Sequence, residues 1–490
     1  MTPPLSFLRS ALRTDFTSSL VVFLVALPLC VGVAVASGVP AELGLITGIV
    51  GGLVTGLLPG SSLQVSGPAA GLTVLVLTAV QDYGLSALGV IVLLAGLLQL
   101  ALGALRLGRI FRAISLSVVH GMLAGIGLVL IAGQVYALAD LKAPGSGTSN
   151  VAALPRLVAE VLASGPALTA VGIGTGTVAV MALWKRLPGK ARLLPGPLVA
   201  VGAATLATAA FDLPIARVQV SGLLEAIQPP GVGDFGQLAD AGLLTTIVAF
   251  TLIASAESLF SAAAVDRLHS GPKTDYDKEL MAQGAGNTLC GLLGALPMTA
   301  VIVRSAANVQ AGAKTKVSRV LHGVWLLLFA TLLPDALALI PTAALAGVLI
   351  HAGFKLLPLK ELRPLWRDHR GEAVVLVITA GAILVTNMFE GVLIGLLLAV
   401  VKAAWETSRV HIDVDDAGED AVRVVIRGHA TFLRLPRILD ALEQLPADRQ
   451  VELNLAGLRH LDHACMNALQ HWADQHNAHT VQPEPARAWT

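Results

Sequence analysis

Long uncharged stretches alternate along this chain with short segments in which arginine and lysine collect. Between Phe16 and Gln81 the only Asp, Glu, Lys or Arg is Glu42, and none occurs from Tyr83 to Leu105. Further uncharged runs cover Ala241–Ala256, Leu280–Val303, Val320–Pro334, Ala336–Phe354 and Ala373–Phe389. Crossing the hydrocarbon core of a bilayer takes about 20 apolar residues in a helix, so several runs are long enough for one crossing or more. Read against turn signals, the apolar runs predict seven helices at 17–36, 42–58, 67–81, 86–105, 113–137, 165–184 and 193–211. Seven more are predicted at 242–266, 277–296, 298–311, 317–334, 341–356, 371–388 and 390–406. The third and the tenth are too short to cross comfortably.

The loop charges give an orientation. With the N-terminus inside, the loops after even-numbered helices carry Arg106, Arg109 and Arg112; Lys185, Arg186, Lys190 and Arg192; and Lys314, Lys316 and Arg319. The loop at 355–370 adds Lys355, Lys360, Arg363, Arg367 and Arg370. The loops 138–164 and 212–241 hold only Lys142, Arg156 and Arg217, among Asp140, Asp212, Glu225, Asp234 and Asp240. Cations kept to one side match the positive-inside rule, which places both termini in the cytoplasm. Arg9, Arg13 and Asp15 precede a stretch too long for a signal peptide's apolar core, so no cleaved leader is expected.

The two sets of seven resemble each other. Each has a short third element that opens on proline and small residues, Ser66-Gly67-Pro68-Ala69-Ala70 in one and Leu296-Pro297-Met298-Thr299-Ala300 in the other. An odd number of crossings per repeat inverts the second (about 240–406) relative to the first (about 15–212), and inverted repeats with broken helices mark transport sites. The plainer alternative is that proline and glycine only kink ordinary spans, as membranes tolerate; two interruptions at equivalent positions favour the first reading. A membrane domain over 1–408 is therefore expected, followed by a different kind of segment. His411–Val414 and Ala421–Gly428 alternate like strands, 433–445 reads as a helix, Val451–Leu455 as a strand and Cys465–Asn477 as a helix. This β-α-β-α order predicts a small cytosolic α/β domain at 409–481, with 482–490 as a tail.

Composition agrees. Of 490 residues 55% are hydrophobic and 13% charged, where soluble domains run near a quarter charged. The net charge of +1 excludes nothing about partners, because the cations are sorted by side, and no nucleic-acid partner is expected. Cys30, Cys290 and Cys465 lack metal-ligand spacing and are read as packing residues; His120 and His322 likewise lack companion ligands. No metal, no cofactor and no catalytic nucleophile–base pair is expected, which argues against an enzyme.

The chemistry concentrates at the two short helices. If both start at mid-membrane, their free N–H groups and positive dipole ends form an anion site without a cationic side chain. The candidate contacts are Gly67, Ala69, Ala70 and Thr73 in the first repeat and Thr299, Ala300 and Val301 in the second. Glu257 lies within the apolar, small-residue run Thr251–Val265, where a carboxylate is costly and functional by default. Either it carries a proton across with the anion, or, with the hydroxyls of Ser258 and Ser261, it holds Na⁺. Its structural alternative is a tie to a neighbouring helix or to Arg304. Arg304 in turn either adds positive potential behind the anion or neutralises Glu257. Glu42 reads as an interfacial carboxylate and Asn308 as a packing or capping residue.

These residues carry a family resemblance. Ala26-Leu27-Pro28, the run from Ala36-Ser37-Gly38-Val39-Pro40 through Ala41-Glu42-Leu43-Gly44-Leu45, and Gln64–Ala70 resemble the SulP family of anion transporters. So do Arg304-Ser305 and Gly312-Ala313-Lys314-Thr315. Within the family the chain looks like the bacterial proton-coupled fumarate symporters. The resemblance implies a seven-plus-seven inverted repeat, a core domain moving against a gate domain, a homodimer in the bacterial inner membrane, and a C-terminal STAS domain. Asn454-Leu455 and Leu461-Asp462-His463-Ala464-Cys465-Met466-Asn467-Ala468-Leu469 resemble the STAS strand–loop–helix motif; His463 stands where phospho-regulated relatives have serine, which puts a phospho-switch in doubt. Sodium-coupled bicarbonate members have an aspartate at the position matching Glu257. The expected function is import of a small anion, such as the dicarboxylate fumarate, with protons. A sodium-coupled bicarbonate or sulfate transporter is the alternative, and an anion channel or STAS-based sensor stands third.

Overall fold

In lipid every backbone N–H and C=O must be satisfied within the segment, so uninterrupted apolar runs have no option but helix. The computed structural model describes residues 5–109, 115–184, 195–220, 222–416, 422–446, 449–476 and 478–481. Within them each predicted span contains a helix, the third and tenth only after a short extended start: α1 (Leu5–Ala36), α2 (Ala41–Val50, continued by a π turn at Gly51–Thr55), α3 (Thr73–Tyr83), α4 (Leu85–Ala104), α5 (Leu116–Ala137), α8 (Gly165–Trp184) and α9 (Gly196–Ala210). The second half supplies α10 (Ala241–Val265), α11 (Tyr276–Leu292), α12 (Ile302–Gln310), α13 (Val317–Leu332), α15 (Thr342–Leu356), α17 (Arg370–Val385) and α18 (Met388–Thr407). Among the described residues seven helices are long and apolar enough to cross a membrane, and α2, α3, α9 and α13 are shorter apolar helices. Loop cations Arg112, Lys185, Arg186, Lys190 and Arg192, and the tail 482–490, lie outside the described residues.

Four short helices were not foreseen: α6 (Gly147–Ala152) and α7 (Leu154–Ala163) in the loop 138–164, α14 (Pro334–Ala338) and α16 (Leu359–Asp368). Local signals explain two of them. Ser146 and Ser149 form a reciprocal capping box for α6, and Pro155 occupies the first turn of α7.

Small residues let the spans touch. A Cβ on Gly52 would stand 2.6 Å from the Cα of Gly323, and one on Gly44 would lie 2.1 Å from the carbonyl of Cys30. Helices in lipid gain most from such close backbone approach. Two buried clusters result, one joining α2, α3, α4 and α10, the other joining α1, α13 and α15.

The chain divides into two compact units, Met1–Leu396 and Leu397–Thr490, the second beginning within α18. The second unit holds a five-stranded sheet of β3 (Val410–Asp415), β4 (Val422–Ala430), β5 (Val451–Asn454), β6 (Leu458–Leu461) and β7 (His479–Val481). β3 runs antiparallel to β4, while β5 and β6 pair with β4 in parallel. Strands β6 and β7 are additions to the expected β-α-β-α order. Alternation along β4 buries Val422, Val424 and Ile426 and leaves Arg423 and Arg427 outside. The buried side packs against Ile438 and Leu442 of α19 (Leu435–Glu443) and Leu469 and Trp472 of α20 (His463–Gln475). Asp462 caps α20 by accepting the N–H of Cys465 at 2.8 Å.

Candidate functional site

The two proline-bearing breaks meet as strands. β1 (Ser66–Pro68) pairs antiparallel with β2 (Met298–Ala300) in the register Ser66↔Ala300, Gly67↔Thr299, Pro68↔Met298. The N–H of Val301 donates to the carbonyl of Val65 at 3.0 Å, and antiparallel alternation makes Gly67 and Thr299 the next hydrogen-bonded pair. Polar side chains from the surrounding helices complete the ladder. Asn287 of α11 accepts the Met298 N–H at 2.7 Å and donates to the Met298 carbonyl at 3.0 Å. The Ala300 N–H donates to Ser258 Oγ at 3.2 Å, and the Val65 N–H to Ser305 Oγ at 2.9 Å. Gln99 of α4 donates to Ser255 Oγ (3.1 Å) and accepts from Asn287 (2.8 Å), while Gln283 donates to Ser66 Oγ at 2.8 Å. A buried polar group left without such a partner costs several kcal/mol in hydrocarbon, which accounts for amides and hydroxyls inside these spans.

Beyond each strand a helix begins. A 3-10 turn at Ala70–Leu72 leads into α3, and Val301 precedes α12. The N–H of Leu72 bonds Ala69, that of Thr73 bonds Ala70, and that of Ser305 bonds Val301. The N–H groups of Ala70, Gly71, Ile302, Val303 and Arg304 are left without an acceptor among the described residues, as the first turn of any helix requires. All five residues border one cavity of about 80 Å³. A water needs roughly 10–15 Å³ by this measure, so the space suits several waters or a small anion. Glu257 and Ser261 line it as well, and its opposite wall is apolar: Leu29 and Val33 of α1, Met122 and Leu123 of α5, Ala352 and Leu356 of α15.

Arg304 is fully buried. Its Nη2 donates to the Pro68 carbonyl at 3.2 Å, while Nε and Nη1 have no partner. Gly67 makes room for it, since a Cβ there would stand 2.1 Å from Nη1. Across the cavity Glu257 Oε2 is buried without a partner, and a Cβ on Gly71 would lie 2.8 Å from each carboxylate oxygen. The carboxylate thus sits beside the first free N–H groups of the α3 half, and Arg304 bonds Pro68 rather than Glu257.

Of the residues singled out from sequence, Ala70, Val301, Glu257, Ser261 and Arg304 line this cavity. Gly67 and Thr299 lie in the strand ladder; the Val301 N–H is spent there and the Ala300 N–H on Ser258 Oγ. Ala69 is buried, and Thr73 lines a second cavity of about 210 Å³ together with Gly32 and Lys142. Ser258, considered as a sodium ligand, accepts from Ala300 and through its carbonyl from Gln64 (2.8 Å). The Ala70 N–H is free as expected, and the other free donors lie one to three residues onward, at Gly71, Ile302, Val303 and Arg304. Three-residue strand pairing between distant segments leaves no local periodicity to read.

Buried charges that sequence reasoning passed over hold the loops at either side. Arg319 donates to the carbonyls of Gly56 (3.0 Å), Leu58 (3.0 Å) and Gln64 (3.4 Å). Glu279 accepts from the Ser61 N–H (2.7 Å) and Gln283 (2.8 Å), fixing the segment that enters β1. Asp15 accepts the N–H groups of Lys314 (2.7 Å) and Thr315 (3.2 Å) in the loop that leaves α12. Asn308, expected to cap or pack, donates to the Leu63 carbonyl at 2.9 Å. His322 bonds the Arg319 carbonyl, and no cluster of potential metal ligands occurs among the described residues.

Comparison with known proteins gives a consistent picture. The model of the sulfate permease family matches residues 12–379. YvdB of Bacillus subtilis is 28% identical over 423 residues, covering 81% of this chain and 75% of the relative. The bicarbonate transporter BicA of Picosynechococcus is 26% identical over 402 residues, covering 79% and 68%. Among solved structures, the transmembrane domain of a cyanobacterial BicA superposes with a TM-score of 0.67 at 24% identity, over 79% of this chain and 97% of that one. Murine Slc26a9, an anion transporter captured facing inward, superposes at 0.73 over 98% and 89%, with 15% identity.

Proposed function

Because this chain belongs to the sulfate permease (SulP) family of anion transporters, we propose that it imports a small dicarboxylate such as fumarate together with protons, by alternating access. The observation that carries this reading is the cavity bordered by free N–H groups from both halves, by Arg304 and by Glu257, whose Oε2 has no partner. Donors supplied from two sides suit an anion with oxygens at both ends.

The geometry also supplies a coupling rule. Two unit negative charges about 5 Å apart repel by about 3 kcal/mol at an effective dielectric near 20. An anion in the cavity is therefore held better when Glu257 is protonated, and by linkage the proton is held better when the anion is present. Cotransport follows from that reciprocity. Ser261 sits one turn along α10 on the same face and hydrogen-bonds the protonated carboxyl in this scheme.

The names of the relatives, bicarbonate and sulfate transporters, favour a second reading: a sodium-coupled carrier of one of those oxyanions, using the same cavity. Uptake of labelled fumarate, bicarbonate and sulfate into proteoliposomes under imposed pH or Na⁺ gradients separates the two. Fumarate accumulation driven by the pH gradient and abolished in Glu257→Gln is expected. Gradient-driven accumulation retained by the Gln variant would remove Glu257 from the coupling role.

The chain is a multi-pass membrane protein. We place it in the bacterial inner membrane, as a homodimer with both termini in the cytoplasm; the sorting of loop cations supports that orientation. Cysteine-accessibility labelling at Arg109 and Arg217 tests the orientation, with the former expected to react only from inside.

A further inference from the structure

The C-terminal unit is acidic, with thirteen Asp and Glu against nine Lys and Arg between Leu397 and Thr490, yet three of its arginines converge. Arg409, Arg427 and Arg459 line one open groove of about 810 Å³, with His411 and His429 beside them. Strand register puts them there. His411 stands directly opposite Arg427 across β3 and β4. β4 shifts register between Gly428 and His429, where it passes to β6, the strand that carries Arg459. Gly428 has φ 103°, and a Cβ on it would lie 2.3 Å from the Arg409 carbonyl, so the bulge that gathers these side chains depends on glycine.

Two carboxylates border the groove. Glu406 is bound to Lys402 at 2.8 Å, and Asp413 lies 3.6 Å from Arg427. Arg409 and Arg459 have no carboxylate partner among the described residues. Two unpaired guanidinium forks in an otherwise acidic unit match a ligand with several anionic oxygens, and planar forks pair best with phosphate or carboxylate.

The groove's position identifies the source. Glu406 and Thr407 belong to the last turn of α18, a helix apolar enough to cross the membrane. Trp405, half-exposed, is in that turn and Lys402 in the turn before it, and lysine with tryptophan near the end of a span marks the bilayer interface. Arg434 fixes the junction: it stacks on the Trp405 ring at 4.1 Å and donates to the carbonyls of Ser408 (2.7 Å) and Trp405 (3.3 Å). Arg409 follows Thr407 by two residues, hence within about 7 Å of chain.

We propose that this groove binds the phosphate of an anionic phospholipid headgroup at the cytoplasmic end of α18. The site is independent of which anion the membrane domain carries. The test is hydrogen exchange on the full chain in nanodiscs of phosphatidylcholine alone or with phosphatidylglycerol, with inorganic pyrophosphate added to the zwitterionic discs as a separate arm. Exchange of 409–413 and 457–460 is expected to slow about thirtyfold with phosphatidylglycerol, as two basic side chains at roughly 1 kcal/mol each at an anionic surface give. Arg409→Gln with Arg459→Gln should abolish that protection, and Arg437→Gln on α19 should leave it intact. Equal exchange in both discs overturns the proposal. Protection by pyrophosphate without protection by phosphatidylglycerol overturns the lipid source and reassigns the groove to a soluble phosphate.

Discussion

Arg304 offers the sharpest test of the anion site, because its removal should weaken binding while leaving folding nearly unchanged. The side chain is fully buried, and only Nη2 is engaged, with the Pro68 carbonyl. An anion seated about 5 Å from the guanidinium gains about 3 kcal/mol at an effective dielectric near 20. A helix N-terminus supplies about 0.3–1 kcal/mol, so the arginine outweighs the two dipoles together. Three kcal/mol corresponds to a factor of about 150 in dissociation constant. Arg304→Met is therefore expected to weaken anion binding about 100-fold, while Arg304→Lys, which keeps the charge and loses the fork, stays within about tenfold. Stability should move little. An unpaired buried charge is lost, which is favourable, but the Pro68 carbonyl loses its donor at about 1–3 kcal/mol. Equilibrium binding of labelled anion to the purified protein, with a thermal melt on the same sample, measures both. A folded Arg304→Met protein that binds within threefold of the parent would refute this account of the site.

Other predictions concern the spaces that glycine keeps open. Gly67→Ala puts a methyl 2.1 Å from Arg304 Nη1 and should raise the KM for uptake nearly as far as Arg304→Met does. Gly71→Ala presses on both Glu257 oxygens from 2.8 Å; it should lower the proton-to-anion ratio measured in liposomes while leaving a monodisperse protein. Gly323→Leu cannot fit against Gly52, where a Cβ would stand 2.9 Å from the Gly52 Cα, and should yield aggregated protein on size-exclusion chromatography. In the C-terminal unit, burial pushes the Asp462 carboxyl up, but the N–H donors of Cys465 and Phe432 outweigh it and hold the group below its ordinary 3.8. A depressed carboxyl stabilises the fold above its unfolded value and loses that contribution as pH falls through the folded one. Asp462→Ala should thus cost about 1 kcal/mol at neutral pH, as a lost cap does, with the gap to the parent narrowing below about pH 3.8. Fluorescence of the buried Trp472 during denaturant unfolding follows it.

Much of this architecture was legible because lipid enforces it. A bilayer admits no backbone solution but helix for runs such as Tyr83–Leu105, so periodicity hardly mattered, and the interruptions at Pro68 and Pro297 stood out against that background. Glu257 and Arg304 were legible for the same reason: a charge in such a run is conspicuous. The bridge between β1 and β2 was not. Residues some 230 apart pair over three positions; the amide donor expected at Val301 is consumed by that pairing and the one at Ala300 by the Ser258 hydroxyl. Gln99, Gln283 and Asn287 were a missed opportunity, since a side-chain amide inside an apolar span carries the same message as a charge. Arg319 was misleading for the opposite reason. Sequence placed it among loop cations, whereas it is buried against three carbonyls.

The ladder between the two breaks has a mechanical consequence. Because Val65, Gly67, Thr299 and Val301 bond one half of the chain to the other, the helix starts that follow them are splinted together and cannot separate without tearing buried amide bonds. Under the alternating access proposed above, displacement would fall to the greasy surface opposite, where Met122, Leu123, Ala352 and Leu356 offer nothing for a charged solute to grip. Cargo would ride with the splint while that surface slips past. Cysteines joining Leu123 to Ile302 should freeze transport when oxidised, and a crosslink confined to the splint should leave it running; the reverse outcome would mean that the halves part at the strands.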